Sequence, residues 1–223
     1  MMTIRRGALS LLFMAAVAAP GAAQIGASPE AEQVKTSDGL IVKSLRLLEP
    51  AQPSTLDEHE RFANYLRSTF GAVPAISACA GAGIRQLMDS PVEWGTGGAG
   101  FGKRLANNMG YTIVRNSISY GASIPLHEDN RYTASDRQGF WPRTAYAVSS
   151  VVMARHPNGR RSLSVSSLAG IVGASLICQA WSPPSWRAGS RVATAIGITI
   201  ATTAGFNVAR EFVPDLIHYI QNR

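Results

Sequence analysis

The sequence has little charge and almost no cysteine. Charged residues make up 16% of its 223 positions, whereas an average soluble domain has roughly 25%. A disordered polar chain would carry more charge and fewer large aliphatic side chains, so that class is excluded. A coiled coil is also excluded, because heptads of Glu, Lys and Leu are absent. The two cysteines are too few for a disulfide scaffold, and no Cys or His spacing suits a metal site.

Small side chains are abundant instead. Alanine, glycine and serine together account for 75 residues, about a third of the chain. The 21 Lys and Arg residues exceed the 14 Asp and Glu residues, which gives a formal net charge of +7. The arginines are dispersed and are not interleaved with aromatic residues, so nucleic-acid binding is not predicted. A loose attraction to anionic lipid or to other envelope components is the better electrostatic expectation.

The first 23 residues have the features of a secretory signal peptide. Arg5 and Arg6 form a positive n-region, a short apolar run reaches Ala19, and small residues up to Ala23 offer a cleavage site. Cleavage there would reduce the net charge to +5. An uncleaved anchor is the alternative. The sequence therefore predicts an exported protein of the periplasm or cell envelope, with membrane association as an open question.

Export also changes the interpretation of the two cysteines. Cys79 and Cys178 would be permitted to form a disulfide in an oxidising compartment. Both lie among small apolar residues, which suits two buried free thiols equally well. The sequence leaves both alternatives open.

The mature chain divides into an arm and a body. Residues 24–53 are predicted to be an extended arm or linker, in which the apolar stretch Leu40–Leu48 could dock. Residues 54–223 are predicted to form a single helical domain. The spacing of Thr55 and Glu58 predicts a capping box at its first helix.

Further helices are predicted along the body. A glycine-rich turn, Gly95–Gly102, precedes a long helix that ends near Ile124. A polar loop follows, and the next helix is expected over Arg143–Arg155. The fold class is therefore mainly α, a helical bundle packed through small residues.

A helical hairpin is predicted at the C-terminal end of this bundle. Ser162–Trp186 and Val192–Ala209 contain no charged residue, and two consecutive prolines near the end of the first segment separate the two predicted helices. Small residues recur every four positions in both segments, which lets a neighbouring helix backbone approach closely. The packing positions predicted on these ridges are Gly170, Ala174, Gly197, Ala201 and Gly205.

The hairpin could lie in a membrane or inside a water-soluble bundle. Its charge-free segments have 25 and 18 residues, and a membrane-spanning helix needs about 20. Trp181 and Trp186 lie at the end of the first segment, where interfacial tryptophans are expected. Ser and Thr are numerous, however, and large aliphatic residues are few. Homo-oligomers formed through the small-residue faces are a further expectation.

Nucleotide-binding motifs fail on inspection. Gly97–Lys103 nearly matches a phosphate-binding loop, but Arg104 replaces the Ser or Thr that would bind magnesium. Helix-packing glycines explain this segment better, and no cofactor is predicted.

Two polar clusters are the candidates for chemistry. His127 with Glu128 or Asp129 could perform acid–base catalysis or bind a cation, although capping and turn formation explain such a loop as well. Glu211 and Asp215 lie four positions apart, on one face of the last predicted helix. The catalytic candidates from the two clusters are His127, Asp129, Glu211 and Asp215.

The same acidic residues are candidates for structural ion pairs. A charge buried in a packed bundle must be paired. We therefore predict that Arg104 or Arg115, from the long central helix, meets Glu211 or Asp215.

Three local motifs resemble an uncharacterised group of exported bacterial proteins. The resemblance covers the chain from about Ala75 to its end, and it implies no activity and no catalytic residues. The motifs are Glu93-Trp94-Gly95, Glu128-Asp129-Asn130-Arg131-Tyr132 and the segment from Asn207 to Asp215.

The expected function is a structural or membrane-associated role in the cell envelope. The alternative is a small exported enzyme or ligand-binding protein that uses the His127–Arg131 loop with Glu211 and Asp215. Convergence of these polar groups on one pocket would favour the alternative, whereas capping and pairing would favour the structural role. An outer-membrane barrel is disfavoured by the four-residue spacing of small residues.

Overall fold

Helices arranged around one long central helix make up most of this protein. The computed structural model describes residues 39–52, 57–187 and 189–222, and the predicted signal peptide, residues 1–23, lies outside them. The prediction of a mainly α fold is confirmed.

Residues 39–46 are helical (α1). The later elements are α2 (Glu58–Phe70), α3 (Ala72–Leu87), α4 (Gly97–Leu126), α5 (Phe140–Ser149), β1 (Met153–Arg155), β2 (Arg161–Leu163), α6 (Val165–Ile177) and α7 (Gly189–Gln221). Short 3₁₀ turns occupy Val92–Trp94, Cys178–Ala180 and Pro184–Trp186. The central helix α4 packs most extensively against α6 and α3, and α5 packs against α7.

A capping box opens α2, two residues after the predicted one. The Asp57 side chain accepts a hydrogen bond from the backbone N–H of Glu60 at 2.7 Å, and the Glu60 carboxylate accepts one from the N–H of Asp57 at 3.2 Å. Thr55 of the predicted box lies outside the described residues. Asp57-x-x-Glu60 satisfies the same spacing rule. The prediction of a capping box at this helix was therefore right, but the predicted residues were wrong.

The glycine-rich segment before α4 is mostly helix, which corrects the predicted turn over Gly95–Gly102. Only Gly95 and Gly97 adopt positive φ, at 68° and 75°. From Gly97 onward the chain is already helical. A Cβ at Gly100 would collide with the carbonyl of Gly95, so a small residue is needed there for packing.

The predicted helix over Arg143–Arg155 is also corrected. The helix α5 begins earlier, at Phe140, and ends at Ser149. The residues that follow it form β1, which pairs with β2 in an antiparallel hairpin with Met153 opposite Leu163. Strands of three residues carry too little alternation to be recognised in a sequence.

The first small-residue ridge lies in the interface between α4 and α6. Gly170 and Ala174 are buried there. A Cβ at Gly170 would lie 2.7 Å from the Arg115 carbonyl oxygen, and one at Gly173 would lie 2.8 Å from Ile118 Cδ1. These glycines therefore allow the two helices to approach closely.

The second ridge has a different environment. Gly197, Ala201 and Gly205 are exposed on α7. A Cβ built at Gly197 or Gly205 would meet nothing within 4 Å. Within the described part of the chain, these predicted packing positions have no helix against them.

Both cysteines are free thiols, so of the two alternatives that the sequence left open the structure has the unpaired one. Cys79 is exposed on α3, whereas Cys178 is buried at the end of α6. Both helices pack against α4, but the Cys79 side chain faces solvent. Burial raises the pKa of the Cys178 thiol to about 11, so it stays protonated at neutral pH.

Candidate functional site

The loop after α4 connects several elements through hydrogen bonds. His127 ends α4 in a left-handed conformation, and the backbone of Asp129 exchanges hydrogen bonds with that of Arg155 in β1, at 2.8 and 3.0 Å. The N–H of Ala51, in the predicted arm, donates to the carbonyl of Tyr132 at 2.8 Å. Residues 127–135 are termed the polar junction below.

Glu128 of the polar junction caps the N-terminus of α6. Its buried carboxylate accepts hydrogen bonds from the backbone N–H groups of Val165 and Ser166, at 3.0 and 2.9 Å. The Ser166 hydroxyl also donates to it at 2.5 Å, and the single proton of the Ser164 hydroxyl is shared between Glu128, at 3.1 Å, and Asn130 Oδ1, at 2.6 Å. The positive end of the helix dipole favours a carboxylate at this position.

These hydrogen bonds determine the protonation of Glu128. Burial alone would raise the pKa of its carboxyl group, but the donors from Ser166, Val165 and Ser164 outweigh burial and lower that pKa. The ionised form is therefore the one that stabilises the fold.

Glu128→Gln is expected to change the pH dependence of stability. Because the folded-state pKa is lowered, ionised Glu128 stabilises the protein above the ordinary glutamate pKa of about 4.3, and this stabilisation is lost as the pH falls through the folded-state pKa. At pH 7 we expect the variant to lose about 1–3 kcal/mol. The difference from the wild type should shrink on acidification.

Thermal unfolding followed by circular dichroism at pH 7 and at pH 3 measures this difference. Glu58→Gln is the control, since Glu58 is an exposed carboxylate in the first turn of α2. We expect the control to stay within about 0.5 kcal/mol of the wild type. An equal effect of Glu128→Gln at both pH values would contradict the prediction.

The other polar side chains of the loop are engaged as well. Asp129 and Arg131 form a bidentate ion pair with distances of 2.9–3.1 Å. The Asn130 side chain accepts a hydrogen bond from Ser164 at 2.6 Å and donates one to Ser166 at 2.7 Å. His127 is exposed at the end of α4. The structure thus uses this loop for capping and pairing.

A second carboxylate, Glu211, lies fully buried beside the polar junction. Its oxygens accept hydrogen bonds from the Tyr132 hydroxyl at 2.5 Å, the Ser135 N–H at 3.1 Å and Arg143 Nε at 2.9 Å. Burial and the hydrogen bond to Glu211 raise the pKa of Tyr132, so its hydroxyl acts as a donor at neutral pH. Tyr132 thereby connects the two predicted polar clusters.

Arg143 connects α5 to α7. Its Nη2 donates to the backbone carbonyl of Glu211 and its Nη1 to Asp215, both at 2.6 Å. The guanidinium also lies 4.5 Å from the ring centroid of Phe212. The hydrogen bond to Glu211 raises the pKa of Arg143, which keeps the arginine charged.

This pairing corrects the expectation that Arg104 or Arg115 would meet Glu211 or Asp215. Arg143 provides the positive charge, because α5 packs along the C-terminal half of α7. Arg104 instead lies near the beginning of α4 and pairs with Asp89 at 3.3 Å.

Arg104 fixes the segment between α3 and α4. The side chain is fully buried and its donors reach three backbone carbonyls and two side chains of this segment. The acceptors are the carbonyls of Ser90, Pro91 and Gly95 and the side chains of Gln86 and Asp89, at 2.6–3.3 Å.

Three of the four residues predicted for catalysis therefore have ion-pair partners, and the fourth, His127, is exposed at the end of α4. Glu211 and Asp215 share Arg143, and Asp129 pairs within its own loop. Among the described residues, no group of three or more His, Cys, Asp or Glu side chains could hold a metal ion. Sequence reasoning missed Arg143 and Ser135, which carry no recognisable motif, whereas Tyr132 was present in one of the quoted motifs.

Comparison with known proteins gives no family assignment. The chain matches no protein-family model, no curated protein sequence and no solved structure at a significant level.

Proposed function

We propose that this protein is an exported, membrane-associated structural component of the cell envelope, embedded in lipid through the N-terminal half of α7. The observation that carries the proposal is the exposure of an uncharged, apolar stretch of α7. By length and composition α7 can cross a membrane. Only 6% of the residues in its apolar 18-residue stretch are buried, however. A helix of this composition in a water-soluble protein is normally buried in the core.

The dimensions of this stretch suit a bilayer. Val192–Ala209 contains 18 residues without a charge, which at about 1.5 Å per residue span about 27 Å. The hydrocarbon core of a bilayer is about 30 Å thick. Arg191 and Arg210 flank the stretch, as charged residues do at the ends of spanning helices.

The two halves of α7 have opposite environments. In the C-terminal half, Asn207, Glu211, Val213 and Ile217 are buried, and the Asn207 side chain donates to the carbonyl of Ala147 at 3.2 Å. In the N-terminal half, Ile198 is 54% exposed. The C-terminal half of α7 thus packs against the rest of the protein, and the N-terminal half is available to contact lipid.

The neighbouring helix α6 adds apolar surface beside this half. The Tyr111 hydroxyl contacts Ser175 of α6 at 3.3 Å and Thr199 of α7 at 2.9 Å, so the two helices adjoin at this level. Val172 and Leu176 of α6 are exposed. Large exposed apolar surfaces mark sites of membrane or protein contact.

Carbonate extraction of the tagged full-length protein, followed by flotation with liposomes, tests the proposal. We expect the wild type to stay with the membrane after carbonate treatment. Ile198→Asp should release at least tenfold more protein, because an aspartate at the centre of a spanning helix costs about 2.5–3.5 kcal/mol.

Leu216→Asp is the matched control for this experiment. Leu216 is also an exposed aliphatic residue of α7, at 45%, but it lies in the half that packs on α5. We expect this variant to remain membrane-bound. Release of the wild type into the carbonate supernatant would overturn the proposed function.

A further inference from the structure

Aromatic and basic side chains lie together at one end of the helical bundle. The segment after α3 meets the segment before α7 here. The rings of Trp94 and Trp186 are 5.7 Å apart between centroids. The Arg85 guanidinium lies 4.8 Å from the centroid of the Trp186 ring. Residues 85–94 together with Trp186, Arg187 and Arg191 are termed the tryptophan end.

This end also exposes large apolar side chains on a fixed loop. Leu87 is 89% exposed, and Met88 and Val92 are each 71% exposed. The buried Arg104 holds the backbone of the same loop through the carbonyls of Ser90, Pro91 and Gly95. The exposed apolar side chains therefore belong to a segment whose backbone is held in place by hydrogen bonds to Arg104.

The arginines of the tryptophan end lack acidic partners. Arg85, Arg187 and Arg191 form no ion pair with any described residue, and Arg85 Nη1 is buried without a hydrogen-bond partner there. The two acidic residues nearby are engaged elsewhere, because Asp89 pairs with Arg104 and Glu93 is hydrogen-bonded to Ser185. Positive charge is thus in excess at this end.

We propose that the tryptophan end docks on the headgroup layer of the bilayer and selects anionic phospholipid. This inference rests on the proposed function, since the end lies at the start of the apolar half of α7. Tryptophan is enriched at the boundary between headgroups and acyl chains, which accommodates exposed apolar residues on the same surface. The guanidinium groups complement the negative charge of lipid phosphates.

Liposome flotation of the full-length protein tests the selection. One set of vesicles contains phosphatidylcholine alone, and a second contains about one third phosphatidylglycerol. An arginine near an anionic surface contributes about fivefold to binding, so the two exposed arginines, Arg187 and Arg191, should give a preference of about 25-fold for the anionic vesicles at low salt. Raising the salt concentration should reduce this preference.

Arg187→Gln with Arg191→Gln should lower the preference by about 25-fold. The matched control is Arg137→Gln with Arg160→Gln, which removes the same charge from exposed positions outside the tryptophan end. We expect this control to change the preference less than threefold. Equal losses in both double variants would overturn the inference, because net charge alone would then explain the binding.

Tryptophan fluorescence supplies a second measurement. In a Trp141→Phe background the remaining tryptophans, Trp94, Trp181 and Trp186, belong to the two segments that meet here. Phosphatidylglycerol brominated near the headgroup should quench them more strongly than the matching phosphatidylcholine. Equal flotation and equal quenching with both lipids would overturn this inference alone, whereas failure to float with either vesicle would overturn the proposed function as well.

Discussion

Replacing Glu211 with alanine is expected to lower the free energy of unfolding by about 3–5 kcal/mol. Glu211 is fully buried and accepts hydrogen bonds from Tyr132, Ser135 and Arg143. Its removal leaves a tyrosine hydroxyl and a backbone N–H without their acceptor and takes away the buried carboxylate that pairs with Arg143. Breaking a buried ion pair by removing one partner costs far more than the pair contributes when intact.

Asp215→Ala is the matched control, because Asp215 pairs with the same arginine but its side chain is 57% exposed. We expect this variant to lose less than about 1 kcal/mol. Thermal unfolding of the two variants in detergent measures both effects. The double variant Glu211→Leu with Arg143→Met should recover part of the loss, since it leaves no unpaired buried charge. A similar loss for Asp215→Ala and Glu211→Ala would contradict the assignment.

Gly170→Ala is expected to destabilise the protein by about 1–3 kcal/mol. The new Cβ would lie 2.7 Å from the backbone carbonyl of Arg115, so α4 and α6 must move apart. A rotation of a flexible side chain cannot relieve this contact, because the obstructing atom belongs to the backbone. The loss should appear as a fall in melting temperature of about 2–4 °C per kcal/mol for a protein of this size.

Gly197→Ala tests the same substitution at a position where the new Cβ has no neighbouring atoms. No atom lies within 4 Å of a Cβ at Gly197, and alanine is favoured over glycine in a helix by about 1 kcal/mol. We therefore expect this variant to be neutral or up to about 1 kcal/mol more stable. If both substitutions destabilised the protein equally, the difference between the two ridges would be refuted.

The sequence was sufficient to predict the two charge-free helices near the C-terminus but not their environments. Charge-free runs and proline positions located α6 and α7, because apolar length and helix breakers are local signals. The four-residue stripes of Gly170 and Gly197 are alike as patterns, yet one is buried and the other exposed. Only the tertiary arrangement separates them.

The sequence identified the buried carboxylates of the candidate site, but it did not identify the residues that pair with them. Glu128 and Glu211 were both recognised as members of polar clusters. Their partners come from distant segments: Glu128 caps a helix 37 residues later, and Glu211 meets an arginine 68 residues earlier. Long-range pairing of this kind has no periodicity, so residue type and spacing cannot reveal it.

The continuity of α7 has a consequence for the sidedness of the protein. Glu211 lies about ten residues beyond the midpoint of Val192–Ala209, which is about 15 Å along the helix axis. Half of a hydrocarbon core is also about 15 Å thick. With the first half of α7 in the bilayer, the Arg143–Glu211 pair would lie where acyl chains give way to water. The two termini of α7 would then face opposite compartments, so a label at Arg187 and one at Leu216 would react from opposite sides of a sealed vesicle.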